Sequence, residues 1–185
     1  MHQQPRPRRR QPLQPPRITY IERGRGYFDK KEYELALVEF ATALELDPLS
    51  ANAYEGRGAV YALLGDLHQA LSDFNKAIDL DPDMALAYSD RGMTYVDLGR
   101  LEQALPDLNR AIELDGELLN AYFYRGLAHY YSGNWDDSEA DFTHIIEHDP
   151  TRASAYSARR LVFLETEDFR KSQSGFRTSY RARAQ

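Results

Sequence analysis

Cysteine is absent from all 185 residues, which excludes a disulfide framework, a thiolate nucleophile and a thiolate metal site. Its absence fits a reducing compartment. No stretch approaches the roughly 20 consecutive apolar residues that span a bilayer. The first 17 residues, MHQQPRPRRRQPLQPPR, lack the apolar run of a secretory signal. A soluble, cytoplasmic chain without a membrane span is therefore the expectation. Acidic residues are missing from both ends. Residues 1–17 carry five Arg, and 170–185 carry Arg170, Lys171, Arg177, Arg181 and Arg183, with no acid in either segment. Residues 18–169 hold 13 basic and all 29 acidic residues, a formal charge of −16. An acidic body between basic ends argues against nucleic-acid binding through the fold.

Catalytic signatures are missing too. There is no glycine-rich phosphate loop, no nucleophile elbow and no carboxylate pair off the repeat register described below. The nearest approach is His144-Ile-Ile-Glu147-His148, an H-x-x-E-H spacing that could share a metal on one helical turn. Only 37 residues follow it, too few for the domain that supplies the further ligand. His148 also falls where Leu46, Leu80 and Leu114 fall in other repeats, so it reads as a packing residue with His144 on the exposed flank. No enzyme, metal or cofactor is expected.

What the chain does contain is a period of 34. Tyr20, Tyr54, Tyr88, Tyr122 and Tyr156 keep that spacing, as do Arg23, Arg57, Arg91, Arg125 and Arg159. Gly24, Gly58, Gly92 and Gly126 follow it, then Ala36, Ala70 and Ala104, then Phe40, Phe74, Leu108, Phe142 and Phe176. The units close on Asp47-Pro48, Asp81-Pro82, Asp115-Gly116 and Asp149-Pro150. Counting each unit from its first residue, positions 4, 7, 8 and 11 share about 100° of helix surface, one packing stripe. Glycine at position 8 predicts two helices too close for a Cβ, with the alanine at position 20 as the small facing surface. Gly65-Asp66, Gly99-Arg100 and Gly133-Asn134 predict the break between two helices, with Lys31 standing in the first unit where the glycine belongs. Asp-Pro stops the second helix. Pro106 falls inside a second helix and is expected to remove one backbone bond and kink it.

This pattern resembles the tetratricopeptide repeat family. The resemblance covers 17–152 as four units, 17–50, 51–84, 85–118 and 119–152, each an antiparallel helix pair. It implies an all-α solenoid wound into a right-handed superhelix. Residues 153–169 read as a capping helix or degenerate fifth unit; along its register Arg160 replaces the glycine and, beyond 169, Ser172 the alanine. Residues 1–16 read as a disordered basic, proline-rich leader and 170–185 as a basic tail. The leader carries proline-rich docking spacings in both orientations, but its composition alone accounts for them.

Arginine at position 7 meets an acid at position 23 in each full unit: Glu39, Asp73, Asp107 and Asp141. These pairs read as architecture, because a partly buried charge needs a partner. Positions 2, 6, 9 and 13 lie opposite the packing stripe, and the resemblance implies that this face lines a concave groove for peptides. The candidate contacts are Arg25, Asn52, Asp90, Met93, Asp97, Asn120, Phe123, Tyr124, Leu127 and Tyr131, with Tyr130 beside them. Arg25, Asp90 and Asp97 would orient a ligand, Asn52 and Asn120 would hold its backbone, and the aromatic residues would supply affinity. Chaperone-docking members of the family clamp a terminal carboxylate with basic and Asn side chains. Here those positions are Ile21, Arg25, Gly56, Leu86 and Asp90, so that clamp is absent. The expected partner is a peptide or helical segment of another protein, basic or neutral in charge. The alternative is a self-assembling part, a homo-oligomer joined through the solenoid ends and basic tails.

Overall fold

The computed structural model describes residues 17–167, with side chains from residue 20 onward. The leader 1–16, the tail 170–185 and the end of the capping segment lie outside the described residues. Eight helices follow in order: α1 (Arg17–Asp29), α2 (Tyr33–Leu46), α3 (Ala51–Leu64), α4 (Leu67–Leu80), α5 (Ala85–Asp97), α6 (Leu101–Leu114), α7 (Leu119–Tyr131) and α8 (Trp135–His148). A ninth, α9, occupies 153–167. No strand occurs among the described residues.

The breaks between helices follow from local chemistry. Gly65, Gly99 and Gly133 take φ of 83°, 69° and 77°, the left-handed region that ends a helix at no steric cost to glycine. Lys31 adopts φ 61° at the equivalent turn, so the first unit makes the same break without the residue suited to it. Ser50 and Asp66 accept hydrogen bonds from the Ala53 and Gln69 amides and cap α3 and α4. At the other end of each pair one device recurs. Asp47, Asp81, Asp115 and Asp149 each accept a bond from the amide two residues on, at 3.4, 3.2, 3.0 and 3.1 Å. That turn survives in the third unit, where Gly116 replaces proline. α6 runs unbroken from Leu101 to Leu114 with Pro106 on its exposed side.

Tertiary packing sorts the helices into two layers. α1, α3, α5 and α7 touch one another in succession, whereas α2, α4, α6 and α8 touch only odd-numbered helices. Closer spacing of the odd layer curves the stack, and its free face is the concave one. Between the layers Phe40, Phe74, Leu108 and Phe142 are almost wholly buried. Each lies over the glycine of its partner helix. A Cβ on Gly24, Gly58 or Gly126 would sit 2.9, 2.8 or 2.8 Å from the Phe ring, and one on Gly92 would sit 2.7 Å from Leu108. The glycine therefore answers to the bulky residue at position 24, not to the alanine at position 20 as expected from sequence. Ala36, Ala70 and Ala104 are fully buried, but a Phe ring, or Leu108 in the third unit, reaches the glycine first, with the Ala104 carbonyl next at 3.4 Å from a Cβ on Gly92.

Candidate protein-binding groove

The position-7 arginines are set on the first helices and aimed at the second. Arg57 gives Asp73 two bonds, Nε to Oδ2 at 2.7 Å and Nη2 to Oδ1 at 2.8 Å. Arg91 forks onto Asp107 and Arg125 onto Asp141 in the same way. Arg91 and Arg125 also reach back to the previous unit, donating to Asn75 and Asn109. In the first unit Glu39, one methylene longer, takes a single bond from Arg23, and its second oxygen is buried without a partner. Arg23 is correspondingly looser, 50% exposed against 25% for Arg57. These guanidiniums are consumed by the scaffold, and none faces a ligand.

The concave face carries a different set. Arg25 lies at its open end, bonded to Asn52 at 3.3 Å and paired with Glu55 at 3.5 Å. Glu55 is buried, and burial pushes its carboxyl up against the opposing pull of Arg25. Sequence reading passed over this acid at position 5, although its place beside the groove positions was the available signal. Asp90 on α5 is half-buried, and no described residue pairs with its side chain. Burial, and then the charge of Glu55, push its carboxyl up to about 7. Asp97, two turns along α5, is exposed and raised by partial burial. On α7 the Tyr124 hydroxyl is raised by burial and then by Asp97 and Asp90, while Arg152 opposes them. Glu55, Asp90, Asp97 and Tyr124 thus share one electrostatic neighbourhood spread over three successive inner helices.

The remaining candidates divide. Met93 and Leu127 are half-buried, Leu127 between two core clusters. Tyr131 is 62% exposed and meets the neighbouring Tyr130 ring edge-on. Phe123 and Tyr130 pack against the cluster that α8 and α9 share: Phe123 lies 5.7 Å from Phe142 of α8 and beneath Arg152 just before α9, and the Tyr130 hydroxyl donates to Glu165 of α9 at 3.4 Å. Asn120 accepts from Arg152 at 2.6 Å and Asn52 from Arg25, so each amide oxygen is engaged within the chain. Position 6 is less open than its place opposite the stripe implied. Gly56 is buried where a Cβ would meet Phe40 at 2.5 Å, and Tyr124 packs partly on the core of the preceding unit.

The histidine pair reverses its expected arrangement. His148 is exposed, with Nδ1 bonded to the His144 carbonyl at 2.8 Å. His144 is the half-buried member, stacked between Tyr122 and His148 at 4.0 Å from each. Its pKa is lowered by burial and then by His148. The Tyr122 ring on α7 reaches back over α8 and takes the residue that sequence reading left outside. Among the described residues no cluster of His, Asp and Glu is arranged to hold a metal.

With this geometry in view, models of the tetratricopeptide repeat match residues 24–65, 49–117 and 89–153. No curated protein sequence matches the chain. Solved structures do. YrrB, described as a TPR protein with an unusual peptide-binding site, is 31% identical over 81% of this chain and 77% of its own, with a TM-score of 0.65. The first TPR of Spaghetti (RPAP3), bound to the HSP90 peptide SRMEEVD, is 27% identical over 63% and 93%, with a TM-score of 0.58. PilF of Pseudomonas aeruginosa, 22% identical over 85% and 72%, reaches a TM-score of 0.75 and shares the fold. The paired helices, their 34-residue register and these likenesses place the chain in the tetratricopeptide repeat family.

Proposed function

We propose that the chain is a non-catalytic interaction module that receives a basic segment of another protein along the concave face of α3, α5 and α7. The observation that carries this reading is Asp90, a half-buried carboxyl with no cationic partner among the described residues, beside Glu55 and Asp97. A lysine or arginine of the partner supplies the missing charge, and Tyr131, Met93 and Leu127 offer apolar contact to its neighbours. The charge preference is opposite to that of a groove holding an acidic peptide such as SRMEEVD, the ligand of the RPAP3 domain. Two bound arginines at the rim, Arg25 and Arg152, flank the acidic centre and favour a segment whose positive charge is central.

The test compares capture of native-lysate proteins by the unaltered chain with capture by Asp90→Asn and Tyr131→Glu variants of unchanged helicity. Tyr131 is chosen over Tyr124 because it is exposed and its replacement leaves the core intact. Partners that are salt-sensitive and lost from both variants support the groove. Partners retained by both variants move recognition to the ends or the convex face, and capture of the chain by itself alone supports self-assembly.

A further inference from the structure

α9 opens a fifth unit, and the sequence that follows it departs from the pattern of the other four. Its inner face is closed: Ala155, Ala158 and Val162 are buried against Phe142 and Ile145. Its outer face is open, with Tyr156 42% and Phe163 57% exposed and Leu164 beside them. In the preceding units the residues equivalent to Tyr156 are half-buried, because α2, α4, α6 and α8 lie over them.

Arg159 marks what is missing. Like Arg91 and Arg125 it reaches back to the previous unit, donating to Thr143 at 3.3 Å. Unlike them it has no carboxylate partner among the described residues. The position that holds Glu39, Asp73, Asp107 and Asp141 is Gly175 here, and 170–185 contains no acid. Arg160 stands where the other units have the glycine that seats Phe or Leu, so the sequence offers no ring-to-glycine fit at this helix. The chain's own continuation therefore lacks both the acid and the ring-to-glycine fit that close the other pairs.

We propose that the outer face of α9 docks an amphipathic helix of another protein, one that brings a carboxylate to Arg159 and a small residue opposite Arg160. The carboxylate completes the fork that Arg57, Arg91 and Arg125 complete within the chain. Apolar side chains flanking it cover Tyr156 and Phe163. A second copy of this chain does not fit the site. Every carboxylate at that repeat position is already bonded to its own arginine and is followed by Phe or Leu. This surface lies on the end of the stack and is independent of the concave face.

The probe is a labelled peptide of residues 66–82 carrying Phe74→Ala, which offers Asp73 followed by a small residue. Fluorescence anisotropy measures its binding to the full-length chain. Saturable binding is expected, weakened about tenfold when the peptide also carries Asp73→Asn and when the chain carries Arg159→Gln. Phe163→Glu, its helicity checked by circular dichroism, weakens both peptides alike, and Asp90→Asn leaves binding unchanged. Hydrogen exchange on the free chain, read at amides 168–182, provides the second measurement. Equal affinity for the two peptides, or no binding to the unaltered chain, overturns the proposal. Protection of amides 168–182 in the free chain overturns it as well, by assigning the face to the chain's own tail.

Discussion

Gly58 and Gly26 both stand within helices, where glycine costs about 1 kcal/mol relative to alanine. Their surroundings give that cost opposite meanings. A Cβ on Gly58 would meet Phe74 at 2.8 Å and Asp73 at 3.2 Å, whereas one on Gly26 would meet nothing within 4 Å. Gly58→Ala is expected to lower stability by about 1–3 kcal/mol through overpacking, and Gly26→Ala to raise it by about 0.5–1 kcal/mol. Urea midpoints of the two variants check the pair, and the same sign for both would contradict the ring-over-glycine account. Asp90 gives a second residue-scale prediction. Its folded-state pKa of about 7 lies above the ordinary carboxylate value near 4. The folded chain therefore holds more protons than the unfolded chain between about pH 4 and 7, and stability is lost as pH rises through that window. Glu55 and Asp97, also raised, act in the same direction in the acid range, with Arg25 opposing the shift of Glu55, whereas the raised Tyr124 hydroxyl acts only at and above its ordinary pKa near 10. Asp90→Asn should leave the melting temperature near that of the unaltered chain at pH 5 and exceed it at pH 8. An equal difference at both pH values would contradict this titration.

At the scale of the element, each second helix is defined by what closes it. The Asp turn at 47, 81, 115 and 149 ends it, and the exposed Asp149 carboxyl is held low chiefly by the Thr151 hydroxyl and amide. The proline of Asp-Pro assists, but the aspartate makes the turn, which is why Gly116 is tolerated in its place. α6 is the one second helix among α2, α4, α6 and α8 that carries an interior proline, and it persists because its buried face, Ala104, Asp107, Leu108 and Ala111, is fully engaged. Tertiary packing there outweighs a local penalty of about 3 kcal/mol. Pro106→Ala is expected to stabilise the chain by about 1–3 kcal/mol, since the new amide regains a helical bond and the side chain faces solvent. Thermal unfolding measures it, and a lower melting temperature would mean that the proline ring makes contacts the exposed position does not suggest.

Across the whole molecule, units contact only their neighbours, so stability is a sum of unit and interface contributions. End helices have one covered flank and central helices two. Native-state hydrogen exchange should accordingly be fastest in α1 and α9 and slowest in α4 to α6, with uniform protection contradicting a stack of nearest-neighbour units. None of the described helices is long and apolar enough to cross a membrane. The sequence by itself determined the 34-residue register, the helix pairing and the arginine–acid pairs, because each is a local pattern repeated several times. It determined the left-handed turns for the same reason, down to the unit where Lys31 replaces glycine. Tertiary structure decided everything that depends on a neighbour outside the unit. Only packing reveals that Gly56 lies under Phe40, that Tyr122 draws His144 inward while His148 faces solvent, and that Phe123 and Tyr130 pack against the cluster that α8 and α9 share. Only packing sets Glu55 beside Asp90, 35 residues apart, and leaves that carboxyl half-buried without a cationic partner among the described residues. A repeat fixes which residues share a face, whereas the depth and charge of a site depend on the helices that curvature brings against it.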